Sequence, residues 1–289
     1  MKKITVLSGK GGVGKSSVTA SLAVLLSREK KIVAVDCDVD ASNLSLILGI
    51  EKMEKETQIS TNYKSFLDEK KCVSCKKCLD ICAFSAIEWD EEKNIPKVNK
   101  FLCEGCGTCQ LICPNSAFSL KKVKNAVMSE AKTEYGFPII SGQLKMGESG
   151  SGKIVDLIKE EAEKTNAEIM LIDSAAGIGC PVIASVRESD YIVAVTEPTP
   201  SALSDMKRAL QIVEHFSIPY SIIINRWDLN KEFTKKIEEF AQRNNIPVIG
   251  KIGYDKKFIE ALVNLKPVVV YEKNYEKLFS SILDKIPLD

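Results

Sequence analysis

The chain has 289 residues, 45% of them hydrophobic, with 40 Lys and Arg against 39 Asp and Glu and a formal net charge of +1. Charges of both signs are interspersed, which removes the electrostatic footprint of a protein that grips nucleic acid or an anionic membrane. No apolar run approaches the roughly 20 residues that span a bilayer, and the N-terminus opens directly on the strand-like KITVLS. The expectation is a cytoplasmic protein with neither nucleic acid nor membrane as partner.

Short β-branched runs at residues 4–7, 32–36, 169–173, 192–196, 221–225 and 248–252 alternate with helical patterns at 16–30, 152–165, 201–216 and 231–243. Such alternation predicts an α/β fold, a doubly wound and mostly parallel sheet with crossover helices. The piece at 63–124 breaks the rhythm, because its regularity is set by cysteine spacing. It reads as a small α+β domain inserted into a discontinuous one made of 1–62 and 125–289. Removing it leaves roughly 230 residues, within the range of a single domain, and its two ends must then lie close together. The C-terminal YEKLFSSILDKIPLD has a polar face of mixed sign and reads as a core-packing or docking helix rather than a membrane anchor.

Between the first predicted strand and helix, Gly9-Lys10-Gly11-Gly12-Val13-Gly14-Lys15-Ser16 matches G-x-x-x-x-G-K-[ST]. Glycines let backbone N–H groups approach phosphates at a helix N-terminus, Lys15 would reach the β/γ-phosphates and the Ser16 hydroxyl would ligate Mg²⁺, with Ser17 next in the same turn. After the second strand come Asp36, Cys37, Asp38 and Asp40. Capping or turn formation accounts for Asp36 and Asp40, with Asp40 the better candidate, and Cys37 reads as structural. The lone His215, beside Phe216, reads as a surface or half-buried structural residue.

Eight of the ten cysteines fall between positions 72 and 113. Cys72, Cys75, Cys78 and Cys82 form one C-x₂-C-x₂-C-x₃-C run; Cys103, Cys106, Cys109 and Cys113 form a second, followed by Pro114. The two runs make an internal repeat, CVSCKKCLDICAFSAI and CEGCGTCQLICPNSAF, in which Ala83 stands where the second copy has its proline. This is the spacing of a bacterial two-cluster ferredoxin, where three cysteines of one run and the fourth of the other hold each [4Fe–4S] cluster. One set is then Cys72, Cys75, Cys78 and Cys113, the other Cys103, Cys106, Cys109 and Cys82. Two zinc knuckles would also use C-x₂-C pairs, though the tandem fourfold spacing favours clusters.

The segments KGGVGKS, VDCDVDASNLSLILG, IMLIDSAAGIG, TEPTPSALSDMKRAL and IIINRWDLN, in this order, resemble the MinD/ParA and nitrogenase iron-protein families, and specifically the subgroup with an inserted two-cluster ferredoxin domain. The resemblance covers nearly the whole α/β part. It implies an ATP- and Mg²⁺-dependent ATPase in which Lys10 crosses the interface of an ATP-bound homodimer to the partner's phosphates. It also implies that Asp38 orients the attacking water, Asp173 holds Mg²⁺ through water and passes γ-phosphate sensing to Ala176-Gly177, and Asn225 contacts the base. The family usually carries a proline where Ala175 or Ala176 stands, which leaves the switch geometry open. Asn225-Arg226-Trp227-Asp228 is close to the N-K-x-D guanine motif as well, so GTP stays open beside ATP.

Cys180 lies at the offset of a cluster-bridging cysteine in the nitrogenase iron protein, but no second ligand cysteine accompanies it, and a small buried thiol is the simpler reading. The leading functional expectation couples nucleotide-driven change in a homodimer to electron transfer through two [4Fe–4S] clusters, with a redox partner. Alternatives are an iron–sulfur or metallocofactor carrier acting on apo-metalloproteins, and a MinD/ParA-type positioning protein, which would need membrane or DNA affinity.

Overall fold

The computed structural model describes residues 1–288. They separate into two compact units, one of Met1–Glu56, Met128–Gln143 and 151–288, the other of Thr57–Val127 and Leu144–Gly150. The second unit thus takes in, besides the cysteine-rich piece, residues 57–62, 125–127 and 144–150.

The larger unit is organised by a sheet of β1 (Lys2–Ser8), β2 (Ile32–Asp36), β3 (Lys55–Ile59), β8 (Ala126–Lys132), β9 (Pro138–Leu144), β10 (Ile169–Ala176), β11 (Tyr191–Thr196), β12 (Tyr220–Asn225) and β13 (Val248–Ile252). Their spatial order is β13-β12-β11-β1-β10-β2-β9-β8-β3. Every pairing from β13 across to β9 is parallel. The six strands read from the sequence lie in this parallel stretch; β9 at its end, and β8 and β3 beyond it, were not announced by β-branched runs. β3 has no apolar run to find, since KETQI is largely exposed, and Gly142 and Gln143 interrupt β9.

The parallel strands are apolar on both faces because helices cover both. Val6, Val35, Ile172, Val193 and Ile223 are fully buried, and each such side chain contributes about 1.5–3 kcal/mol by leaving water. Helices α1 (Lys15–Leu26), α5 (Ser151–Glu163), α7 (Pro200–His215) and α8 (Lys231–Arg243) match the four helical patterns within a few residues. Shorter ones, α2 (Leu44–Ile47), α6 (Cys180–Val186), α9 (Lys257–Val263) and α10 (Val268–Tyr271), were not separable by periodicity. The last, α11 (Asn274–Leu283), packs on α1 and buries Phe279 completely, as expected of a core-packing helix.

In the smaller unit β4 (Asn62–Leu67) pairs antiparallel with β7 (Phe118–Val123), and β5 (Ile87–Asp90) with β6 (Ile95–Val98). The first pairing sets Asn62 opposite Val123 and so brings the ends of the cysteine-rich piece side by side. Two short helices, α3 (Lys77–Asp80) and α4 (Thr108–Ile112), carry the middle of each cysteine run. No helix among the described residues is long and apolar enough to cross a membrane.

Candidate functional site

The loop between β1 and α1 wraps back under left-handed backbone at Gly12 and Gly14, with φ of 79° and 93°. Gly14 is the N-cap of α1, no side chain caps the helix, and a Cβ there would collide with the Asn225 amide. The first-turn N–H groups of α1 are thereby left for an anion, the use to which phosphate loops put them. Above this loop opens a cavity of about 630 Å³.

The floor of the cavity carries a dense ionic network. Lys15 Nζ lies 2.8 Å from Asp173 Oδ1, a pair in which both side chains are almost wholly buried. The Ser16 hydroxyl donates to Asp173 Oδ2 at 2.6 Å and the Thr19 hydroxyl to Oδ1 at 2.7 Å. Asp173 therefore sits beside the phosphate-loop hydroxyl, as a Walker B carboxylate must if both are to serve one Mg²⁺.

Two further carboxylates flank the network. Asp36, at the end of β2, is fully buried and accepts from the Ser42 hydroxyl at 2.8 Å, the Leu44 amide at 2.9 Å and the Asp38 amide at 3.0 Å. Burial, and then the negative charge of Asp173, push its carboxyl up to about 6. Of the two carboxylates read as capping or turn-forming, Asp36 accepts the turn's hydrogen bonds from the end of the strand, and Asp40, the better candidate in the sequence, is exposed. Asp38 is half-buried on the cavity wall, its pKa raised by burial against the opposing charge of Lys15.

Across the cavity Asn225 donates from Nδ2 to the Val13 carbonyl at 2.7 Å and accepts the Arg226 amide at 3.0 Å, clamping the phosphate loop to the end of β12. Asp228 does not line the cavity; its carboxylate accepts the Tyr254 amide at 2.7 Å. The remaining wall, Tyr254, Phe258, Ile259 and Leu262, comes from β13's exit and α9. No motif announced it, and the amphipathic pattern of KFIEALV is its only trace. Lys10 does not line the cavity either. It pairs with Glu197 at 3.2 Å, and Glu197 also takes Arg226 at 2.9 Å.

Beyond the Asp173 strand, Gly177 turns in left-handed backbone at φ 96° and Cys180 opens α6. The reading of Cys180 as a small buried thiol fails, since it is exposed; its position at the first turn of a helix aims it away from the core. Cys37 is fully buried, and burial pushes its thiol up to about 12. His215 is exposed, edge-on to Phe216 with ring centroids 5.1 Å apart.

The cysteine runs produce two separate small cavities. One is walled by Cys72, Cys75, Cys78 and Cys113, the other by Cys103, Cys106, Cys109 and Cys82. Among the described residues no three His, Cys, Asp or Glu side chains gather closely enough to ligate one metal ion. Burial pushes the Cys78 thiol up to about 11, whereas hydrogen bonds from Thr108 lower that of Cys106.

These features, a parallel sheet with a phosphate loop at its centre and a carboxylate on the neighbouring strand, define a P-loop nucleotide-binding domain. Residues 4–268 match the family described as the CobQ/CobB/MinD/ParA nucleotide binding domain, and the chain belongs to that family, whose members are in general ATPases. It is 42% identical over 228 residues, 79% of each chain, to the uncharacterized protein MJ0578 of Methanocaldococcus jannaschii. It is 24% identical over 300 residues, covering 98% of this chain and 85% of the relative, to the iron-sulfur cluster carrier protein of Pyrococcus horikoshii. Among solved structures, the septum site-determining protein MinD complexed with Mg-ADP from Pyrococcus horikoshii shares the fold, with a TM-score of 0.61 at 19% identity over 98% of this chain and 96% of that one.

Proposed function

We propose that this chain is an ATP-hydrolysing iron–sulfur protein that couples a nucleotide-dependent conformational change in a homodimer to one-electron transfer through two [4Fe–4S] clusters. The observation that carries the reading is the sorting of eight cysteines into two cavities, each walled by three cysteines of one run and the fourth of the other. A cubane cluster needs four thiolates around a volume, whereas a single zinc needs them around a point. Ser74 and Lys76, at φ 55° and 60°, hold left-handed backbone within the first run. That conformation costs about 1–2 kcal/mol at each non-glycine residue, a cost that metal–thiolate bonds would offset. The piece at 63–124 is then an inserted ferredoxin-type domain, and its clusters supply one-electron storage when bound.

At the nucleotide, Lys15 and the α1 amides hold phosphate, Ser16 and Asp173 share Mg²⁺, and Asp38 orients water for an in-line attack that asks mainly for positioning. Asn225, which lines the same cavity, would contact the base. ATP is favoured over GTP because Asp228, which would read a guanine, is engaged by the Tyr254 amide outside the cavity. Lys10 faces away from its own nucleotide site towards Glu197, which suits a lysine that serves a partner subunit's phosphates. Strands β3, β8 and β9 each run from one compact unit into the other, giving a covalent route between nucleotide and cysteine sites.

The test is anaerobic purification with iron and sulfide analysis, followed by EPR of the reduced protein with and without Mg·ATP. Roughly eight irons per chain and signals that change with ATP are expected; a zinc-loaded, EPR-silent protein would sink the proposal. A second reading, a carrier that hands clusters to apo-proteins, draws on the exposed thiol of Cys180 and on the similarity to the Pyrococcus horikoshii carrier. Transfer of iron and sulfide to an apo-ferredoxin, lost in Cys180→Ser, would favour it.

A further inference from the structure

The two cysteine runs superimpose residue by residue in the sequence, Cys72 on Cys103, and the backbone follows. Ser74 and Gly105 are left-handed at φ 55° and 65°, Lys76 and Gly107 at 60° and 83°, and Ser85 and Ser116 both at 49°. The paired strands repeat too, β4 with β6 and β5 with the start of β7. Against so regular a frame, side chains that differ between the halves identify what distinguishes the two sites.

The difference lies in donors to sulfur. In the set of Cys103, Cys106, Cys109 and Cys82 every thiol has one. The Ser65 amide donates to Cys103 Sγ at 3.4 Å, and the Ser65 hydroxyl lies 3.1 Å from Cys109 Sγ. The Thr108 hydroxyl lies 3.3 Å from Cys106 Sγ, and the Ala86 amide donates to Cys82 Sγ at 3.3 Å. Against a thiolate both hydroxyls must be donors. The other set lacks counterparts of the Ser65 and Thr108 donors: among the described residues its sulfurs are met only by backbone amides, Ala117 donating to Cys113 Sγ at 3.3 Å and Cys78 to its own sulfur.

The repeat explains why. Ser65 on β4 corresponds to Pro96 on β6, which is buried against the first set and has neither an amide hydrogen nor a hydroxyl to give. Thr108 corresponds to Lys77. Fixed positive charge does not separate the sites in the same way. Lys100 is anchored by its ammonium on the Ser65 carbonyl near Cys103 and Cys109, but Lys76 stands over the Trp89 ring at the first set, 4.6 Å from its centroid.

We infer that Ser65 and Thr108 make the Cys103, Cys106, Cys109 and Cys82 site the higher-potential one of the two, so that a single added electron resides there. The inference rests on the reading that both sets hold [4Fe–4S] clusters. Its physical basis is that hydrogen bonds to cluster sulfurs stabilise the extra negative charge of the reduced state. Reduction of either site makes and breaks no bond to the chain.

The test is a potentiometric titration of the anaerobically reconstituted full chain with dithionite and redox mediators, followed by EPR. Two one-electron steps are expected, with equilibrium occupancy differing at least about tenfold, which for a one-electron couple is about 59 mV. Ser65→Ala, which keeps the amide and removes the hydroxyl, should lower only the upper step, and Thr108→Val should do the same. Pro96→Ser, which returns both donors to the first site, should raise only the lower step. Eight irons with coincident steps, or a Ser65→Ala shift confined to the lower step, would overturn the inference alone; a protein without clusters would overturn the underlying reading first.

Discussion

In the larger unit the central strands are wrapped in aliphatic side chains, and residues such as Ile4, Val33, Leu171 and Ile222 have no exposure at all. In the smaller unit the buried core is Cys78, Ile87, Cys109 and Phe118, so half of its members are themselves proposed ligands. The exposed side chains there include Val73, Phe101 and Leu111, at 56%, 64% and 87%. A unit of this size, Thr57–Val127 with Leu144–Gly150, stands near the limit of about 70–80 residues below which a single hydrophobic core rarely supplies more than about 3–5 kcal/mol. The comparison teaches that the nucleotide unit is held by the hydrophobic effect and carries its chemistry on top, whereas in the cysteine-rich unit the proposed metal–thiolate bonds would supply chemistry and stability together.

The most damaging way to probe one side of this contrast is Lys15→Ala. It should abolish nucleotide hydrolysis by about a thousandfold or more, since the loop's charge on the transferred phosphate is lost. It also leaves Asp173 buried without its cation, a change that costs about 3–5 kcal/mol. Turnover and thermal unfolding measure the two effects, with iron per chain unchanged. On the other side, Cys78→Ser should leave about half the iron and make the 63–124 piece sensitive to protease while ATP binding persists. Metal analysis and limited proteolysis report this, and loss of ATP binding would show that the nucleotide unit depends on the cysteine-rich piece for its own fold.

A smaller and more selective effect is expected at Asp36. Its raised pKa means that folding favours the protonated form, so this contribution is complete below the ordinary value of 3.8 and is lost as pH rises through about 6. Between those limits Asp36→Asn should gain on the parent protein by about 1–3 kcal/mol as pH rises. Denaturant unfolding of both proteins at pH 4 and pH 7 tests the sign, and a difference constant with pH would show that the carboxyl is not strained by burial.

Sequence by itself determined those features in which the reacting groups are neighbours along the chain. The phosphate loop is eight consecutive residues ending at Ser16, and each cysteine run spaces its first three thiols three residues apart, while the fourth member of each set comes from the other run. Strands β1, β2, β10, β11 and β12 were legible for a related reason, because burial on both faces demands unbroken apolar runs. Tertiary structure alone decided the rest. The contacts of Asn225 with Val13 and of Lys10 with Glu197 span 212 and 187 residues, and the approach of Ser65 to Cys109 spans 44. Asp36 displaced Asp40 as the turn's acceptor through the fold of one loop over a strand end, and Cys180 came to the surface through the start of a short helix. No pattern in the sequence encodes which strand ends lie side by side; that is set by the order of the sheet, through packing energies spread over many residues.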